Sequence, residues 1–264
     1  MSGGSVPYHL RQNKTVERGV FLDLLLRVAR STPTKLRDYR YIGFAGPFSE
    51  DFKLIHSQLG ISHFVSIEMD EAVLKRQRWN APVRGIEYRH LKSREYIDEH
   101  DSAIPSIVWL DYTEPKTIGH QLSELESLVS KSADYDLIKV TFNASNVALG
   151  HDPTIPLNTI PLRIARARER LGNFLPVGFD VTPEDVDRKG YPCLILKAVE
   201  YAVKRGMEGK TLSRFQPLAA FIYQDSEHRM LTLTGIVLPK KEVTSFLKDT
   251  GLKTWRLATT KWAK

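Results

Sequence analysis

The chain has a single cysteine, Cys193, so it can form neither an internal disulfide nor a thiolate metal cluster. No apolar run approaches the ~18 residues that a membrane-spanning helix requires. The opening stretch MSGGSVPYHLRQNKTVERG lacks the apolar core of a secretory signal. A cytoplasmic protein without a membrane partner is the expectation. Internal repeats and low-complexity segments are missing as well. No G-x-S-x-G and no G-x-x-x-x-G-K-[ST] occurs, which leaves a serine hydrolase and a P-loop enzyme without support. His56, His63, His90, His100, His120, His151 and His228 show no H-x-x-x-H or H-E-x-x-H spacing, so no metal site is expected.

What is present suits an α/β protein. The 264 residues are 42% hydrophobic, enough for a sizeable core, and carry a net charge of +7. The charge is uneven, with +5 between Pro239 and Lys264. Apolar spacing predicts a helix over Val16–Ala29, with Val20, Leu22, Leu24, Leu25, Leu26 and Val28 on its apolar face. Buried strands are then expected at Tyr39–Ala45, Phe64–Glu68, Gly85–Tyr88, Ser106–Leu110 and Leu137–Phe142. Helices are expected between them at Glu50–Leu59, Asp70–Trp79 and Thr117–Ser130, with Tyr96–His100 helical or a turn. Such alternation implies a mainly parallel sheet covered on both faces. Residues 151–214 break the rhythm with a proline-rich loop and two helical stretches. In LAAFIYQDSEHRMLTLTGIVL, two apolar runs flank a polar turn at Gln224–Arg229, the pattern of a β-hairpin. The expected plan is one domain over 1–264. It comprises a helical extension (1–38), a cofactor-binding half (39–150), a helical insertion (151–214), and a closing hairpin with a basic tail (215–264).

Five β/α units closed by an antiparallel hairpin resemble the class I S-adenosylmethionine-dependent methyltransferases. The likeness runs from about Tyr39 to Leu238, and the FAGP loop followed by Ile67-Glu68 is also faintly similar to the three-Cys-motif partner group. The resemblance implies a Rossmann-like seven-stranded sheet and S-adenosylmethionine as cofactor. It places Gly43, Ala45, Gly46 and Pro47 in the cofactor loop, Glu68 on the ribose hydroxyls and Met69 against the adenine. The residues partly agree on their own terms. Small residues after a first strand let backbone N–H groups approach a ligand, and an acid about twenty residues on suits a ribose. Turn glycines and helix-capping acids would give the same pattern, and Asp70 is suited to cap the next helix. The chain departs from the family at Ile42, where an acid is usual, and at Phe48, which holds the place of the third glycine. Asp111-Tyr112-Thr113-Glu114-Pro115 replaces the D/N-P-P-Y/F signature of amino-methyltransferases, and no cysteine nucleophile follows the fourth strand.

A parallel strand delivers its last residues to the carboxyl edge of the sheet, where ligands bind. Asp111 and Tyr112 are therefore the candidate catalytic pair, an acid and a phenol, with helix capping as the alternative for Asp111. Asn143 and Asn146, after the fifth strand, are candidate substrate contacts or ordinary turn formers. Arg163, Arg166 and Arg170 recur at helical spacing and suit a phosphate-bearing or nucleic-acid acceptor, as does the basic tail, or else form a solvated face. Two other functions fit the same residues: a methyltransferase fold without catalysis that serves in binding or assembly with a partner protein, and a nucleic-acid-binding module.

Overall fold

The computed structural model describes residues 12–150, 159–225, 227–252 and 258–259. The proline-rich loop from His151 and the tail residues Lys253, Trp255, Arg256, Lys261 and Lys264 lie outside them. Five parallel-sheet strands come first: β1 (Arg40–Gly43), β2 (His63–Glu68), β3 (Glu87–His90), β4 (Ser106–Asp111) and β5 (Leu137–Asn143). A hairpin of β6 (Ser213–Asp225) and β7 (His228–Pro239) follows, and the two-residue β8 (Ala258–Thr259) pairs with β6. The sheet order is β3-β2-β1-β4-β5-β7-β6-β8. β7 inserts antiparallel between β5 and β6. The seven strands expected from the sequence are all present, with the hairpin at one end as expected.

Side chains alternate across this sheet, and each face has its own core. On one face Tyr41, Trp109 and Ile236 pack under α1 (Gln12–Val28), α2 (Glu50–Leu59) and α8 (Val243–Thr250). The short α3 (Glu71–Trp79) lies over β2 and β3 on that side, where Ser66 donates to Gln77 at 2.7 Å. On the other face Val108, Leu110, Ile138 and Val140 pack under α5 (Ile118–Lys131) and α7 (Gly190–Gly206). The helices α4 (Ser93–Glu99) and α6 (Thr159–Leu171) flank them. Within the stretch read as an insertion, α7 is a structural layer, burying Leu194, Ile195, Ala198 and Ala202. It approaches α5 so closely that a Cβ on Gly206 would stand 2.6 Å from the Glu126 carbonyl oxygen.

The first helix departs most from expectation. It starts at Gln12, and Val20 and Leu26 of its anticipated apolar face are 39% and 51% exposed. Its buried stripe is Lys14, Glu17, Arg18, Phe21, Leu24, Leu25 and Val28. That is a single helical face, apolar in its second half and ionic in its first. Each ionic residue meets a charge from a different element: Lys14 pairs with Asp111 of β4, Glu17 with Lys139 of β5, and Arg18 with Asp51 of α2. Lys139 is fully enclosed, with its ammonium 3.4 Å from the Trp109 ring centroid and 4.2 Å from that of Phe21. Burial pulls its pKa down to about 8, against the opposing pull of Glu17.

Breaking one side of a buried ion pair leaves a bare charge in a low-dielectric interior. Lys139→Met is expected to lower unfolding free energy by about 3–5 kcal/mol in urea melts. The double variant Glu17→Leu/Lys139→Met is expected to regain most of that loss.

Candidate active site

The parallel strands all end on one edge. In register, Gly43 of β1 lies between Ser66 of β2 and Trp109 of β4, and Asp111 extends one pleat further beside Thr141 of β5. Chain direction around the sheet reverses at the β1/β4 boundary, since β2 lies on one side of β1 and β4 on the other. A crevice opens at such a switch point in open α/β sheets. The structure therefore gathers the loop after β1, the acid ending β2, Asp111-Tyr112 and the turn after β5 at one edge.

Within the first loop the residues do different things. Gly43 is required by the sheet: a Cβ there would stand 2.8 Å from the Trp109 carbonyl oxygen. Gly46 adopts a left-handed conformation with φ 59°, which costs glycine little. Ala45 is buried, and the Pro47 carbonyl accepts from the Asn80 amide at 2.9 Å. Phe48 stands 40% exposed at the surface. Ser49 precedes α2 at φ 48°, and its buried hydroxyl has no hydrogen-bond partner among the described residues. Next to this loop Glu68 is half-buried. Burial raises its pKa, opposed by the Asp70 N–H that donates to its Oε1 at 2.9 Å. Met69 is 68% exposed, and its carbonyl lies 3.1 Å from His90 Nε2. Asp70 caps α3 as expected, accepting from the Ala72 and Val73 amides.

The two candidate catalytic residues go to opposite faces, because successive residues of a strand alternate. Asp111 turns toward α1, where its Oδ2 accepts from Lys14 Nζ at 2.6 Å. Its Oδ1 is buried and has no hydrogen-bond partner among the described residues. Tyr112 turns into the opposite core, stacks on Phe142 and donates to Glu124 at 2.5 Å. Burial and then the Glu124 carboxylate push its pKa well above the usual phenol value. Both candidates lie at the carboxyl edge, with Asp111 on its α1 side and Tyr112 in the core beside it. A different phenol joins Asp111. Tyr223 of β6 accepts from Lys14 Nζ at 3.1 Å, and Lys14 lies 5.6 Å and 5.7 Å from the Trp109 and Tyr223 ring centroids.

The candidate substrate residues are largely committed to the fold. Asn143 bridges the Thr113 carbonyl and the Ser145 amide, and Asn146 donates to the Val186 carbonyl at 3.3 Å. Arg163, Arg166 and Arg170 do share one half-buried face of α6, as their spacing predicts. That face lies against the turn after β5: Arg170 donates to the Ala148 carbonyl at 3.1 Å and Arg166 to that of Leu149 at 3.2 Å. Arg163 packs on Gly150. The Arg166 and Arg170 guanidiniums close off open carbonyls of a short helical turn, while the buried Arg163 Nε has no hydrogen-bond partner among the described residues.

Lys14, Glu17, Arg18, Lys139 and Tyr223 escaped the sequence reading. A signal existed for two of them. Lys139 interrupts the otherwise apolar LIKVTF strand, and lysine is almost never fully buried without a partner. Glu17 falls on the helical face shared by Phe21 and Leu24, where a polar residue is out of pattern.

The strand order and the inserted antiparallel strand define a class I methyltransferase fold. The chain belongs to the family described as "putative O-methyltransferase", which matches residues 6–264. Among solved structures it is similar to Trm1 from Pyrococcus horikoshii in complex with S-adenosyl-L-methionine. There the identity is 11%, the TM-score 0.50, and 84% of this chain and 55% of that one are covered. This chain thus spans about half of the Trm1 chain. It is also similar to the N-methyltransferase NodS from Bradyrhizobium japonicum WM9, at 10% identity and TM-score 0.45, over 86% of this chain and 98% of that one. No curated protein is a sequence match to it. Among the described residues no helix is long and apolar enough to cross a membrane.

The Gly43 contact gives a direct test of the loop geometry. Gly43→Ala is expected to force β1 and β4 apart and cost about 1–3 kcal/mol of stability, read as a lowered melting temperature. Tyr112→Phe leaves Glu124 without its phenol donor and is expected to cost about 1–3 kcal/mol.

Proposed function

We propose that this protein transfers a methyl group from S-adenosylmethionine to an acceptor hydroxyl. The carrying observation is a pair of buried oxygens at the carboxyl edge without hydrogen-bond partners among the described residues, Ser49 Oγ after the β1 loop and Asp111 Oδ1 at the end of β4. An orphaned polar atom in a packed interior is costly unless a ligand completes it. Together with the half-buried Glu68 carboxylate and the left-handed turn at Gly46, they fit a ribose-bearing amino-acid cofactor. Family membership supports oxygen as the receiving atom.

When bound, the cofactor would supply a methyl group already activated on a sulfonium. Glu68 would accept hydrogen bonds from the ribose hydroxyls, with Met69 alongside the adenine. The backbone from Gly43 to Pro47 would face the amino-acid end. Asp111 Oδ1 would accept the acceptor's O–H and hold its oxygen in line. Asp111 would take up the hydroxyl proton released as the acceptor is methylated and hand it on to water. A phosphate-bearing or nucleic-acid acceptor reached through the α6 arginines is a weaker reading, because Arg166 and Arg170 already donate to main-chain carbonyls.

Calorimetry with S-adenosylmethionine and S-adenosylhomocysteine is the first experiment. Wild type is expected to bind both, and Glu68→Ala to lose roughly tenfold or more in affinity. Asp111→Asn is expected to retain S-adenosylhomocysteine binding. In a radiolabelled-methyl screen of hydroxyl acceptors it should transfer less than about one hundredth of the wild-type label. A folded wild-type protein that binds neither compound would sink the proposal.

A further inference from the structure

We propose that Lys14 is a positioning residue of the methyl-transfer site, holding Asp111 and Tyr223 in place and setting the charge met by the transferred group. The inference rests on the reading of Asp111 given above. Nothing in the cofactor half of the sequence points to it, since Lys14 arrives from a helix that precedes the first strand.

Three observations converge on this residue. The first concerns energy. α1 is already seated by Phe21, Leu24, Leu25 and Val28, and well-packed apolar residues generally replace buried ion pairs with neutral or favourable effect. Docking the helix therefore does not require charge in its first turns. The buried charge of α1 is confined to its first half, where Lys14 reaches Asp111 at the end of β4, while Asp23 and Arg27 pair with each other on the exposed side. The second concerns geometry. Lys14 Nζ donates to Asp111 Oδ2 at 2.6 Å and to the Tyr223 hydroxyl at 3.1 Å, so one ammonium fixes an acid from β4 and a phenol from β6. With Oδ2 held, the carboxylate cannot rotate freely, and Oδ1 is the oxygen left to meet a donor. Burial disfavours the Lys14 ammonium, but Asp111, Tyr223 and Glu17 outweigh it and keep the pKa well above the ordinary lysine value.

The third concerns charge balance. Among the described residues Lys14, Arg18 and Lys139 face Asp111, Asp51 and Glu17 pairwise, so these three ion pairs balance in charge. A bare carboxylate at the transfer point would bind a sulfonium strongly in the ground state, which lowers KM without raising kcat. A carboxylate shared with Lys14 can orient an acceptor hydroxyl with less of that ground-state attraction. It also offers no unmatched cation of this cluster to an anionic acceptor.

The test needs no acceptor. Calorimetry on the full-length protein compares S-adenosylhomocysteine, which is neutral at sulfur, with sinefungin, which carries an ammonium where the methyl group would stand. Lys14→Met is expected to leave S-adenosylhomocysteine affinity within about twofold while tightening sinefungin about tenfold, because the Asp111 charge is unmasked. Asp111→Asn should weaken sinefungin against S-adenosylhomocysteine, and the double variant should return the ratio close to wild type. Lys14→Arg keeps the charge and should keep the wild-type ratio; should Lys14→Met not fold, Lys14→Gln takes its place. A ratio that stays constant across folded variants, or two affinities that fall together, would mean that Lys14 merely seats α1, and would overturn the inference. Failure of wild type to bind S-adenosylhomocysteine at all would instead defeat the cofactor reading, and this inference with it.

Discussion

Register between parallel strands governs this molecule. β1 pairs with β2 on one side and β4 on the other with no slip along the paired residues, so three chain segments end within one pleat of each other. Side-chain direction has a period of two along each strand, and this register decides which face every edge residue serves. Tyr41, Trp109, Asp111 and Lys139 fall on the α1 side, and Val108, Leu110 and Tyr112 on the α5 side. A shift of one residue in β4 would exchange Asp111 for Tyr112 at the candidate site.

The ionic face of α1 follows from that arrangement. A carboxylate at position 111 and a lysine at 139 on the same side of the sheet would be prohibitively placed without counter-charges. α1 provides them at Lys14 and Glu17, and Arg18 links the same helix to Asp51 just after the loop that follows β1. One helix thus connects three walls of the edge: the start of α2, the end of β4 and the middle of β5. Buried pairs of this kind stabilise little in net terms, but each is costly to break singly, which makes the helix position specific. The close β1–β4 contact at Gly43 and the close α5–α7 contact at Gly206 fix the layers on either side.

Committed polar groups separate structure from candidate chemistry at the edge. Asn143, Asn146, Arg166 and Arg170 spend hydrogen bonds on main-chain groups and hold the turn after β5 in place. Tyr112 is closed off by Glu124 and Phe142. Asp111 Oδ1 and Ser49 Oγ, like Arg163 Nε, have no hydrogen-bond partner among the described residues.

The sequence by itself determined the strand and helix order, because apolar runs of strand length alternate with helical spacing from Tyr39 onward. The closing hairpin was equally legible, since two apolar runs flank a short polar turn. Asp70 as a helix cap and the one-sided placement of the α6 arginines could be read as well, both being local patterns. Tertiary structure decided what these patterns meet. The face taken by Asp111 or Tyr112 depends on strand register. Whether an arginine row binds phosphate or main-chain carbonyls depends on which loop lies against it. Among the described residues, the ion-pair partners of Lys14, Glu17 and Arg18 lie 97, 122 and 33 residues away. A charge on a helix reads as solvent-facing until the chain that buries it is in place, and only the fold brings that chain there.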